Sequence, residues 1–226
     1  MSQILGFLNI NKPKSYTSFD VVARLRKILN IRQIGHTGTL DPFATGVLPI
    51  CIGKATKLIE YLSDDKEYFA TVQFGANTTT YDLEGEITQT FDKKISKSEI
   101  QQVLKTFEGD ISQIPPIYSA IKVNGKKLYD YARAGQDVEI KPRKVTVYKI
   151  DLVDFDEKNQ SAKILVSCSK GTYIRSIAYD LGKILNCGGY LTALERTRAG
   201  KFLIKDSINL EDLTQENVLN KIRSEE

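Results

Sequence analysis

Only one histidine, His36, and three cysteines, Cys51, Cys168 and Cys187, occur in the 226 residues, and the cysteines form no CxxC pair. A structural zinc site needs about four Cys/His ligands at short spacings, so this set excludes one. Serine or cysteine nucleophiles need a base within hydrogen-bond reach, which leaves His36 as the sole imidazole for such chemistry. Three scattered cysteines fit a reducing compartment better than a disulfide framework. No stretch approaches eighteen consecutive apolar residues, and no basic leader precedes a long apolar run at the N-terminus. Neither a membrane span nor a secretory leader is expected, and the cytoplasm is the expected location. Gly46 and the Gly53-Lys54-Ala55 run superficially suggest a phosphate cradle. A P-loop has four residues between its glycines and a hydroxyl residue after the lysine, whereas here six residues lie between the glycines and Ala55 has no hydroxyl.

What is present fits a folded domain: 41% hydrophobic and 27% charged residues are ordinary globular values. The net charge of +4 is unevenly spread. Residues 206–226 hold six acids against Lys221 and Arg223, a balance of −4, so the remaining residues carry +8. That excess suits a polyanionic partner, and it also fits a solvated basic surface.

Local patterning mixes strands and helices without a regular alternation. Residues 6–11 read as a strand ended by Lys12-Pro13, and Thr17 or Ser18 caps a helix through Val21, Val22, Leu25, Ile28 and Leu29. Residues 33–44 read as a loop, 47–52 as an apolar strand and 54–62 as a helix. From 67 to 74 the chain alternates as a strand, with Tyr68, Ala70, Val72 and Phe74 on one face. Ser96 and Glu99 form a capping box, and Asn124-Gly125 marks a tight turn. Strands are expected at 144–155, 163–169, 191–194 and 202–204. Helices are expected from Ile174 to Leu185 and over residues 210–222. The expected class is α+β with a mixed, largely antiparallel central sheet flanked by helices, in one domain spanning residues 1–226.

Residues 35–49, GHTGTLDPFATGVLP, concentrate three glycines, two prolines, an aspartate and the lone histidine. Pro42 biases Asp41 away from the α region, so its carboxylate stands on an extended or turning backbone. Functional groups gather on such loops, and an Asp-Pro turn bonded to its own backbone is the alternative. Tyr68 suits a buried core tyrosine or a site residue. Arg175, between a strand and a helix, suits a surface cation or the partner of a carboxylate.

Those residues resemble the signature of the TruB family of pseudouridine synthases. Further matches follow in order: LNINKP at 8–13, Glu67-Tyr68, DLEG at 82–85, IPPIYSAIK at 114–122, GKKLYDYARA at 125–134 and CSKGTYIR at 168–175. The resemblance covers about residues 5–205. It implies the pseudouridine synthase fold with an active-site cleft across the sheet. It also implies a cofactor-independent, metal-free RNA isomerase acting on a uridine of the tRNA T-loop (position 55). The base is detached from C1′, turned and rejoined through C5.

Asp41 matches the family's catalytic carboxylate, Arg175 its basic partner, and Tyr68 the tyrosine stacked on the target base. His36 matches a residue that fills space left by flipped bases. Lys12, Tyr173 and Leu194 match residues at the pocket. Lys122, Lys126, Lys127 and Arg133 are further candidates for phosphate contact. The implied partner is the T-arm stem-loop of tRNA, with no obligatory protein partner and a monomeric state. Many bacterial members continue into a PUA domain, for which the acidic end of this chain leaves no room. A tRNA-folding chaperone without catalysis, or the catalytic subunit of an RNA-guided pseudouridylation particle, are the alternative functions.

Overall fold

The computed structural model describes residues 5–62 and 65–223. In chain order the elements are β1 (Leu5–Lys12), α1 (Ser18–Leu29), β2 (Ile34–His36), β3 (Thr45–Gly53) and a 3-10 helix (Lys54–Tyr61), then β4 (Lys66–Phe74), β5 (Ala76–Thr78) and β6 (Ile87–Thr90). They continue through α2 (Lys97–Leu104), β7 (Gly109–Gln113), β8 (Lys122–Val123), β9 (Lys126–Lys127), α3 (Leu128–Arg133), β10 (Arg143–Asp156) and β11 (Ser161–Cys168). The last are α4 (Ile174–Ile184), β12 (Gly189–Ala199), β13 (Phe202–Leu203) and β14 (Ile208–Asn209). The chain forms two compact units, one of Met1–Tyr68 with Leu194–Glu226 and one of Phe69–Ala193. Their boundaries fall inside β4 and β12.

In the first unit the strand order is β14-β1-β3-β12. β1 runs antiparallel to β3 over its whole length, while β14 joins β1 and β12 joins β3 in parallel. Every β3 residue between its two ends is buried, because both faces of the strand are covered. Leu8, Ile10, Leu48, Ile50 and Ile52 pack on Val21, Val22 and Leu25 of α1. Phe7, Val47 and Cys51 face the other way, toward Ala55, Phe202 and the half-buried Leu58 and Ile59. This two-sided burial is why residues 47–52 read as an unbroken apolar run rather than an alternating one.

In the second unit the order is β12-β4-β11-β10-β7, with antiparallel β11–β10 and β10–β7 pairs. Along β4, Tyr68, Ala70, Val72 and Phe74 are buried while their neighbours are partly exposed, the alternation the sequence shows. The class is α+β with a mixed, largely antiparallel sheet, as expected.

Several local expectations need correction. Residues 54–61 form a 3-10 helix rather than an α-helix. The supposed loop at 33–44 opens with β2, whose residues pair with Ile52, Cys51 and Ile50 of β3. The final helix over 210–222 is absent. Leu210–Asp212 and Val218–Lys221 are single 3-10 turns that bury Leu210 and Val218 against the α1 face. Their apolar residues lie at helical spacing, but each short turn docks only one or two of them. Packing, not propensity, decides such short segments.

Candidate active site

The Asp41 loop leaves β2 and returns as β3, and many of its peptide groups are hydrogen-bonded. The Thr37 amide donates to the Pro49 carbonyl at 3.1 Å. Ser18 Oγ accepts from the Leu40 amide at 2.9 Å and donates to its carbonyl at 3.3 Å. The two cap candidates at the start of α1 therefore have separate roles. Thr17 is the N-cap, in a capping box with Asp20, and Ser18 is free to reach the loop. The Asp41 carbonyl accepts from the Ala44 amide at 3.1 Å, closing a tight turn around Pro42 and Phe43. Asp41 is half-exposed, with its backbone committed to the turn.

Two buried cations lie against the same loop. Lys12 is fully buried at the end of β1. Its ammonium donates to the carbonyls of Tyr16 at 2.6 Å, Pro13 at 3.0 Å and Pro42 at 3.3 Å. Lys12, expected near the pocket, thus ties Pro42 to the turn after β1. Arg196, on β12, is 1% exposed. Its guanidinium donates to the carbonyls of Val47 at 2.7 Å, Gly38 at 3.1 Å and Thr39 at 3.5 Å. The sequence reading missed Arg196, whose only visible trace was a cation within the alternating Leu194–Arg198 stretch.

His36 is partly buried, and its Nδ1 finds no protein partner among the described residues. Burial first, and the charge of Arg196 second, push its pKa below the ordinary 6.5. The ring is therefore neutral at pH 7, suited to contact by its face and ill-suited to carry charge. Tyr68 and Leu194, both 7% exposed, complete the predicted residues in this unit.

Arg175 and Tyr173 belong to the second unit. Gln113, at the end of β7, holds Tyr173 at the start of α4 with both ends of its amide: Oε1 accepts from the Tyr173 amide at 2.8 Å and Nε2 donates to the Tyr173 carbonyl at 3.0 Å. Ser176 donates to the Ile114 carbonyl at 2.8 Å, fixing the first turn of the helix. Arg175, 4% exposed, donates to the carbonyls of Tyr118 at 3.0 Å and Thr80 at 3.1 Å. Its Nη1 also lies 3.6 Å from Oδ2 of Asp82.

Asp82 is itself buried, and its other oxygen accepts from Thr80 Oγ1 at 2.5 Å and the Glu84 amide at 3.0 Å. Gly85 is required in this loop, since a Cβ there would stand 2.4 Å from Thr80 Oγ1. The sequence placed Asp82 only within a matching motif, without a catalytic role.

The basic hairpin is also in this unit. Asn124 and Gly125 both have positive φ, as a two-residue turn between β8 and β9 demands. Lys126 lies 4.5 Å from the Tyr131 ring centroid, and Lys127 and Arg133 lie 5.1 and 5.3 Å from that of Tyr129. Among the described residues no group of three or more His, Cys, Asp or Glu side chains is arranged to hold a metal, and no helix is long and apolar enough to cross a membrane.

Comparison with known proteins matches residues 26–174 to the N-terminal domain of the TruB family of pseudouridylate synthases. Residues 175–226 match the C-terminal domain of tRNA pseudouridylate synthase B. The tRNA pseudouridine synthase B of Clostridium kluyveri is 50% identical over 218 residues, 96% of this chain and 75% of that protein. That of Francisella tularensis subsp. novicida is 49% identical over 222 residues, 97% of this chain and 73% of its own. Among solved structures, a Cbf5-Nop10-Gar1 complex contains a chain 33% identical, with a TM-score of 0.72. The match covers 92% of this chain and spans about half of that one, 53%. An H/ACA RNP bound to a substrate RNA containing 2'-deoxyuridine matches at 31% identity and a TM-score of 0.69. The signature around Asp41, the α+β fold and these relatives agree: the chain belongs to the TruB family of pseudouridylate synthases.

Proposed function

We propose that this chain isomerises a uridine in the T-loop of tRNA to pseudouridine, with Asp41 as the reacting carboxylate. The observation that carries the reading is the Asp41 loop. Its peptide groups are bonded to Ser18, Lys12 and Arg196, so the carboxylate is presented on a backbone that needs no rearrangement. Pre-positioning of this kind removes orientational entropy from the chemical step. The reaction is an internal transfer: the N1–C1′ bond breaks, the base turns, C5 bonds to C1′, the C5 proton leaves and N1 gains one. No electron is gained or lost.

Asp41 serves either as a nucleophile toward the sugar or base, or as the base that opens an elimination route across the ribose. Both roles use the ionised form. Tyr68 is assigned to contact with the target base and transfer of the C5 proton. An ordinary tyrosine has a pKa near 10, so that step requires a relay or a tuned hydroxyl. A neutral His36 fits stacking into the space vacated when the target base is flipped out. Arg175 and Tyr173 are assigned to the same reaction by their match to the family, and Lys126, Lys127 and Arg133 to phosphate contact.

Release of tritium from C5-labelled uridine in a bare tRNA transcript tests the proposal. Release without guide RNA or partner proteins supports it, and it also separates a stand-alone enzyme from an RNA-guided subunit. Normal release by Asp41→Asn would overturn the role of Asp41. Retained tRNA refolding with no release by the unaltered protein would favour the chaperone reading.

A further inference from the structure

We infer that Arg196 is a positioning residue for the reaction, a buried clamp that sets the height and angle of the Asp41 loop; this rests on the reading of Asp41 as the reacting carboxylate. β12 meets β3 in parallel, with Arg196 opposite Gly46. The approach is closer than any side chain at 46 would allow. Gly46 has φ +102°, and a Cβ there would stand 2.4 Å from the Arg196 carbonyl oxygen and 2.8 Å from its amide nitrogen. Gly46 therefore admits the β12 backbone, and that approach carries the guanidinium beneath the loop.

There it bridges both arms, bonding Gly38 and Thr39 on the outgoing side and Val47 on the returning side, with Asp41 between them. A planar guanidinium has donors in a fixed fork, so it fixes the relative placement of those carbonyls in a way a single ammonium cannot. Burying a cation is costly, and among the described residues this one's hydrogen bonds go to backbone carbonyls rather than a carboxylate. A loop that only needed covering would be served by an apolar side chain. The bridging geometry accounts for a charged residue here.

A clamp on the carboxylate's backbone acts on the chemical step, not on RNA affinity, and a misplacement of about 1 Å costs on the order of 100-fold in rate. The test compares Arg196→Lys, Arg196→Met and Asp41→Asn in the full chain, measuring the single-turnover rate at saturating tRNA and the tRNA dissociation constant separately. Circular dichroism and thermal melting confirm folding. The expected result is a rate loss of about 10-fold for Lys and about 100-fold for Met, with affinity within about threefold of the unaltered protein. A folded Arg196→Met with a near-normal rate overturns the inference, as does a parallel loss of rate and affinity. If Arg196→Met fails to fold, a fully active Arg196→Lys overturns it. Should Asp41→Asn be active, the reading of Asp41 fails. An inactive Asp41→Asn beside an active Arg196→Met sinks the clamp alone.

Discussion

Two arginines, Arg196 in the first unit and Arg175 in the second, are almost equally buried, at 1% and 4% exposure, yet they are satisfied differently. Among the described residues Arg196 donates only to backbone carbonyls, two in the Asp41 loop and one in β3. Arg175 donates to two carbonyls from separate segments and also faces the buried carboxylate of Asp82. The first arrangement fixes the backbone shape of the loop that carries Asp41. The second is a compensated charge pair that ties the start of α4 to the loop at 79–86. Mutation should therefore separate the two sites: rate without stability at Asp41 itself, and stability at Arg175.

The largest effect is expected at Asp41. Asp41→Asn should lower pseudouridine formation by at least about 10³-fold, roughly 4 kcal/mol of transition-state stabilisation, with an unchanged urea midpoint. Asp41 is half-exposed and its backbone bonds survive the change, so a marked fall in stability would break the comparison.

Next comes the pair in the second unit. Arg175→Met removes the guanidinium that faces buried Asp82 and should cost about 3 kcal/mol by urea unfolding, since losing one partner of a buried pair is expensive. Adding Asp82→Asn should recover part of that loss. Strictly additive losses would show that the 3.6 Å pair contributes nothing of its own. Gly46→Ala should follow at about 2 kcal/mol, combining positive-φ strain with the clash against Arg196. Ser18→Ala removes both bonds to Leu40, and about 1 kcal/mol is expected, with the Thr17 capping box intact.

This contrast was only half legible in the sequence. The apolar run of β3, the alternation of β4, a cap at Thr17 or Ser18, the Ser96 cap and the Asn124-Gly125 turn were all readable. Each is a local pattern whose physical cause lies within a few residues. The aspartate loop was readable as an anomaly, because prolines and glycines crowd there for backbone reasons. Arg196 was not, since its role depends on a strand pairing across some 150 residues of chain, and nothing near it marks a buried cation. Nor was the burial of Lys12 legible, since it depends on the carbonyls of Pro13, Tyr16 and Pro42 converging on its ammonium. The end of the chain failed differently: apolar residues at helical spacing in 210–222 serve two separate turns that dock on α1.

The smallest effect, and the cleanest to read, concerns the sole histidine. His36 gives a single imidazole resonance, so its titration can be followed by NMR without assignment. Burial and the charge of Arg196 both favour the neutral ring, so the midpoint should fall below 6.5. The sign for stability follows from linkage. Below about pH 6.5 the unfolded chain takes up the proton before the folded one, so this histidine's contribution is present above that pH and is lost as the pH falls through the window beneath it. Arg196→Met should move the midpoint part of the way back toward 6.5, because it removes the repulsion and leaves the burial. A midpoint unmoved by that substitution would mean that Arg196 acts on the loop through its hydrogen bonds alone. A midpoint above 6.5 in the unaltered protein would instead require an anion beside the ring, and the neutral stacking role would have to be abandoned.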